Sequence, residues 1–158
     1  MDADPDTGVA VLETDACWTL LQCADVGRLA VPMADGDPDI FPVNYVVQYG
    51  TIVFRTAAGS KLSGAVSGHK VAFEVDGREL TTGEAWSVVV KGGAAHVIPA
   101  QEMIDPTGLP LFPWHGGPKD HYVRIVPDEV SGRRFPIKGS GFTKTEGLGA
   151  WNPSRGGA

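Results

Sequence analysis

Apolar and polar residues alternate with a period of two in short runs of this chain, most clearly "TIVFRT" and "KVAFEVDG", and an amphipathic helical period appears in one short stretch near its start. In Thr51–Thr56 the alternation sends Ile52, Phe54 and Thr56 to one face, the expected core face, and Thr51, Val53 and Arg55 to the other. "KVAFEVDG" repeats the pattern with Val71, Phe73 and Val75. "GRLAVPM", "IFPVNYVV" and the long run "AWSVVVKGGAAHVI" read as further strands, the last with a bulge or bend at Gly92-Gly93. "HYVRIV" and "VSGRRF" read as two closing strands, with "DEVSGRRF" carrying the charge of a sheet edge. Turns are expected at Asp35–Pro38 and at "QYG", which would make the second and third strands a hairpin.

The helical stretch places Cys17, Leu20, Leu21 and Ala24 on one stripe, with Thr14 as its N-cap and Gly27 as its end. A second, short helix is expected to start at Lys61, and another over "PAQEMID". Six or seven short strands with one or two packing helices predict a mainly β protein, an antiparallel barrel with Greek-key-like connections. No strand-helix-strand rhythm supports a parallel sheet, and "GGAAHV" lacks the spaced glycines of a dinucleotide fingerprint. The barrel is expected to occupy residues 1–135, and residues 136–158 to form a Gly-rich tail.

Charge narrows the classes of partner. With 19 acids against 13 Lys and Arg the net charge is −6, so nucleic acid is not an expected partner and any affinity for anions must be local. The apolar runs are far shorter than the ~20 residues of a membrane-spanning helix, and the acidic start Met-Asp-Ala-Asp does not resemble a secretory signal. A cytoplasmic protein with reduced thiols is expected. Six positions separate Cys17 and Cys23, which sets them about 240° apart around a helix.

Local positive charge concentrates where the strand at Thr51–Thr56 gives way to a helix. Arg55 offers a planar fork to an oxyanion. Thr56 and Ser60 supply hydroxyls, Ala57-Ala58-Gly59 lets a ligand approach the main chain, and Lys61 adds a second cation. By spacing alone the same residues equally describe an exposed arginine, a helix cap and a solvated lysine.

"GRLAV", "PDIFPVNYVV", "TIVFRTAAGSKL", "VAFEVDG" and "WSVVVKGGA", in that order, resemble the pyridoxamine 5'-phosphate oxidase-like family of flavin-binding split β-barrels over roughly Cys17 to Phe135. The resemblance implies flavin mononucleotide (FMN) lying across a homodimer interface. Carried over by position, Arg55, Thr56, Ser60 and Lys61 match the phosphate ligands. Pro42, Val43 and Asn44 would line the flavin ring largely through main-chain groups, and Trp86 and Ser87 would reach the cofactor of the partner subunit. Pyridoxamine phosphate oxidases proper finish with a C-terminal strand carrying arginine and histidine for the substrate's phosphate, whereas this chain ends "AWNPSRGGA", so vitamin B6 oxidation is not expected.

A bound flavin carries its own electron chemistry, so no catalytic side chain is required of the protein. His69, His96, His115 and His121 are scattered, and none has the spacing of a metal site. Trp114 could stack on a ring or anchor its loop, and Arg133, Arg134, Lys138 and Lys144 could meet a longer anionic cofactor. "GSGF" at Gly139–Phe142 is too short for a phosphate loop. The expected function is an FMN-dependent oxidoreductase acting on a small molecule. The alternatives are a reductase using the deazaflavin coenzyme F420 on the same barrel and a non-catalytic flavin store.

Overall fold

The computed structural model describes residues 3–57, 60–66, 68–97 and 121–137. Seven strands and two helices follow in the order β1 (Ala10–Val11), α1 (Thr14–Gln22), β2 (Val26–Pro32), β3 (Pro38–Gln48), β4 (Thr51–Thr56), α2 (Lys61–Ala65), β5 (Lys70–Glu79), β6 (Glu84–Val97) and β7 (His121–Pro136). Their order in the sheet is β1-β7-β4-β3-β2-β5-β6, and β6 pairs back onto β7. Six strands therefore close into an antiparallel barrel with β1 as an added strand. Within it β2, β3 and β4 form two successive hairpins and β5 returns beside β2, a Greek-key arrangement.

The alternation holds where it was clearest. Ile52, Phe54 and Thr56 face inward and are buried, as are Val71, Phe73 and Val75. Val53 differs from the expectation: it faces outward yet has no exposed surface. Its cross-strand neighbour Arg124 reaches along β4, donating to Thr51 Oγ1 at 2.9 Å and Gln48 Oε1 at 3.2 Å, and so its stem runs past Val53.

Three boundaries fall elsewhere than expected. Gly27 does not end α1, which stops at Gln22 with Cys23 as its C-cap; Gly27 lies inside β2. There it faces the Phe73 ring so closely that a Cβ would stand 2.2 Å from Phe73 Cζ. The glycine is needed for packing and not for a turn. Glu13 occupies the N-cap position that Thr14 was expected to fill. The two closing strands are one, since β7 runs unbroken past Pro127, which sits where its register against β6 shifts at the Lys91/Gly92 bulge. The "DEVSGRRF" stretch is not an open edge: it pairs with β6 along its length and with β1 at Arg133 and Arg134.

The tight connection after β3 has the form expected of a hairpin. Tyr49 and Gly50 both have positive φ, 50° and 67°, as a two-residue turn matching the strand twist requires. The helices occupy opposite ends of the barrel. At one end Cys17 and Leu21 of α1 are buried, Cys17 fits against Gly132, and Tyr45 donates from its hydroxyl to the Leu21 carbonyl at 2.5 Å. Burial pushes both the Tyr45 phenol and the Cys17 thiol up from their usual values. Cys23 is exposed, so the two thiols are apart as expected, and both are free. Among the described residues no helix is long and apolar enough to cross a membrane. The expected helix over "PAQEMID", Trp114, His115, Lys138, the 139–142 stretch, Lys144 and the tail from residue 138 lie outside the described residues.

Candidate functional site

α2 closes the barrel end opposite α1. It is only five residues long and is fixed by its contacts: Leu62 and Val66 insert into the core, and Ser60 caps it by accepting from the Ser63 amide at 3.0 Å. The same Ser60 hydroxyl lies 2.9 Å from Thr56 Oγ1. A buried strand residue and a helix cap, four positions apart, thus form one hydroxyl pair at the corner. Removing that cap by Ser60→Ala is expected to cost about 1 kcal/mol of stability, measurable by denaturant titration.

The two cations of the corner engage different neighbours. The Arg55 guanidinium lies over the Tyr122 ring, 5.3 Å from its centroid, on the outward face of β4 and β7. Lys61 pairs with Asp39 at 2.6 Å. That hydrogen bond raises the ammonium's pKa and, with the Ile40 amide, holds the Asp39 carboxyl below its usual range. Both partners are substantially exposed, which makes the pair a weak tether.

The β3–β4 ladder begins at Tyr45–Phe54, so the first part of β3 extends past the end of β4 and is paired along β2. One further step of the same register aligns Asn44 with Arg55, and Arg55 pairs with Tyr122. Asn44, Arg55 and Tyr122 therefore share an outward row. Pro42 is exposed on the same face as Asn44, opposite Arg28. Val43 points inward and is buried, so only its main chain is available to a ligand. Arg28 donates from Nε to Glu74 at 2.7 Å and from a terminal nitrogen to Asp76.

Trp86 and Ser87 lie on another wall. Ser87 faces outward, whereas Trp86 packs against the core over Gly77, where a Cβ would stand 2.5 Å from Trp86 Cζ2. Passing from Arg55 to Ser87 by way of Asn44, Val26 and, with the β2–β5 register carried two residues beyond Arg28–Glu74, Asp76 crosses four inter-strand steps, roughly 19 Å of curved sheet. Of the residues expected in the site, Thr56 and Ser60 bond to each other, Arg55 and Asn44 share an outward row with Pro42 on the same face, Thr56 and Val43 point inward, and Lys61 turns to Asp39; Trp86 and Ser87 lie on another wall.

Residues that were not singled out also border this corner. Tyr122 lies under Arg55, and Arg124 is held two positions further along β7 by neutral acceptors. They stand two apart on β7 and so share a face, but their proximity to Arg55 depends on a pairing across more than sixty residues. A separate outward groove of about 540 Å³, floored by Ala30, Ala72 and Gly92, is rimmed by the Lys70–Asp128 and Lys91–Glu129 pairs.

The family model for pyridoxamine 5'-phosphate oxidase matches residues 13–134. This chain belongs to that family. It is 40% identical over 90 residues to the Mycobacterium tuberculosis protein Rv3129, an alignment covering 57% of this chain and 80% of the relative. The solved structure of the FAD binding protein from Mycobacterium smegmatis is 35% identical, with a TM-score of 0.62 over 80% of this chain and 98% of that one. A FAD-binding protein from Mesorhizobium loti, 23% identical with a TM-score of 0.63 over 80% of this chain and 96% of that one, shares the fold. These likenesses agree with the barrel traced above.

Proposed function

We propose that this protein is a flavin-dependent oxidoreductase that holds FMN at the corner between β4 and α2 and acts on a small molecule. What supports this reading is the Thr56–Ser60 hydroxyl pair at the junction of β4 and α2, with Arg55 on the outward side of that junction over Tyr122, Lys61 on the Asp39 side, and Pro42 and Asn44 on the adjoining outward face. A phosphate ester would take charge-assisted hydrogen bonds from Arg55 and Lys61 and a neutral one from the Ser60 hydroxyl, which the buried Thr56 hydroxyl holds in place. When bound, the flavin ring supplies hydride and electron transfer; the chain's own residues grip the phosphate and orient the ring. The M. smegmatis relative is named for FAD, whose flavin half carries the same ribityl phosphate, so the corner suits either nucleotide.

Trp86 and Ser87 reach such a flavin from a second copy of the chain, which makes the working unit a homodimer. Their separation from Arg55 over a curved wall supports this: a ligand on the outward face beside Arg55 meets Ser87 more readily across an interface than around the barrel.

Asp39 competes with the phosphate for Lys61. Replacing Asp39 with Asn removes that competitor and a like charge, and is expected to tighten FMN binding two- to fivefold, in line with about 0–1 kcal/mol for an exposed ion pair. Fluorescence titration measures it. The reading as a whole is tested by the visible spectrum of the purified protein and by titration with FMN, FAD and F420. Flavin uptake with reduction by a hydride donor and reoxidation by an acceptor supports the oxidoreductase. Selective uptake of F420 would point to the deazaflavin reductase, and flavin uptake without turnover to a carrier.

A further inference from the structure

His96 is not part of the corner described above, yet its side chain is tied to it. It lies near the end of β6, opposite Val123 of β7, on the face of the sheet that turns toward α2. Its Nε2 stands 2.9 Å from the Ser63 carbonyl oxygen. A carbonyl can only accept, so Nε2 carries the proton and donates. That carbonyl belongs to the last turn of α2.

The neighbouring main chain is stapled to the same part of β6. The Gly68 amide donates to the Ala94 carbonyl at 3.3 Å, and the Ala94 amide donates to the His69 carbonyl at 3.0 Å. These bonds fix the chain after α2. His96 provides a side-chain hold on the helix itself. The His121 ring stands edge-on to His96, with centroids 6.0 Å apart, and His121 is the cross-strand partner of Thr56. A chain of contacts therefore runs from Thr56 through His121 and His96 to Ser63, and Ser63's amide returns to Ser60.

From this geometry we infer that His96 is a positioning residue for the anion corner: by bonding the Ser63 carbonyl it fixes α2 so that the Ser60 hydroxyl and Lys61 face the phosphate. The inference rests on the corner's being a flavin-phosphate site. It concerns only the phosphate end of the ligand, so its effect should differ between FMN and riboflavin, which lacks that group.

The test compares FMN and riboflavin affinities of the purified full chain carrying His96→Ala, His96→Phe or His96→Gln. Losing one positioning hydrogen bond is expected to weaken FMN about tenfold in the Ala and Phe variants, with riboflavin changed less than about twofold. Gln can place an amide N–H near Nε2 and is expected to restore FMN to within about threefold of the parent. His96→Phe fills the imidazole's space without a donor, and it decides the matter if the Ala variant does not fold. Unchanged FMN affinity, an equal loss for both flavins, or no rescue by Gln would overturn the inference while leaving flavin binding in place. If the parent protein binds neither flavin, the proposed function and this inference fall together.

Discussion

Replacing Arg55 and Lys61 together with Ala is expected to weaken FMN binding by several kcal/mol, a loss of roughly a hundredfold or more. Hydrogen bonds to charged groups contribute about 1.5–3 kcal/mol each, and this pair supplies both cations of the corner. The two contributions should be unequal. Arg55 is poised over the Tyr122 ring, so less side-chain freedom is lost when it meets an anion. Its planar fork can also bond two phosphate oxygens at once, whereas Lys61 offers a point charge, here paired with Asp39. Arg55→Ala alone is therefore expected to account for most of the loss, and riboflavin affinity should hardly change in any of these variants. Fluorescence titration with both ligands provides the measurement. Equal weakening of both flavins would mean that the substitutions perturb the wall and not a phosphate site.

The largest effect on stability is expected at Gly27. Substitution by Val brings a Cβ to 2.2 Å from Phe73 Cζ and within 3.1 Å of the Glu74 carbonyl oxygen. Phe73 cannot swing aside, because it is fully buried and packs edge-on against Tyr45 with centroids 4.8 Å apart. Tyr45 is in turn fixed by its bond to the Leu21 carbonyl. Overpacking of a core typically costs about 1–3 kcal/mol, and here the backbone oxygen adds a neighbour that gives little, so a loss of about 3 kcal/mol or more is expected. Gly27→Ala should be milder but clearly destabilising. A midpoint of urea unfolding equal to that of the parent would show that the Gly27–Phe73 contact is not a constraint.

Gly27 also illustrates what could and could not be read from the residues alone. As a sequence signal a glycine after a helical stripe suggests a stop, and only the partner strand reveals that the missing side chain makes room for a ring forty-six positions away. The strands themselves were legible because alternation is local: "TIVFRT" and "KVAFEVDG" bury the residues that their period assigned to the core. The bulge was legible for the same reason, since Gly-Gly in a long apolar strand is a local irregularity. By contrast, Val53's burial depends on cross-strand neighbours such as Val46 and Arg124, and the merger of two closing strands into β7 depends on β6 following it across the bulge.

The corner shows the same division. Arg55, Thr56, Ser60 and Lys61 are close in the chain, so their grouping could be proposed from order and spacing. Their actual partners come from elsewhere: Tyr122 from β7, Asp39 from the start of β3, and the His96–Ser63 bond from β6. None of these follows from spacing, because each depends on how a closed barrel brings distant strands to one end.

Recognition of a flavin nucleotide's phosphate by this corner is tested most directly by the affinity of the unmodified protein for FMN relative to riboflavin. The expected result is tight FMN binding with riboflavin weaker by at least a hundredfold. Equal affinities for the two, or binding of riboflavin alone, would contradict it.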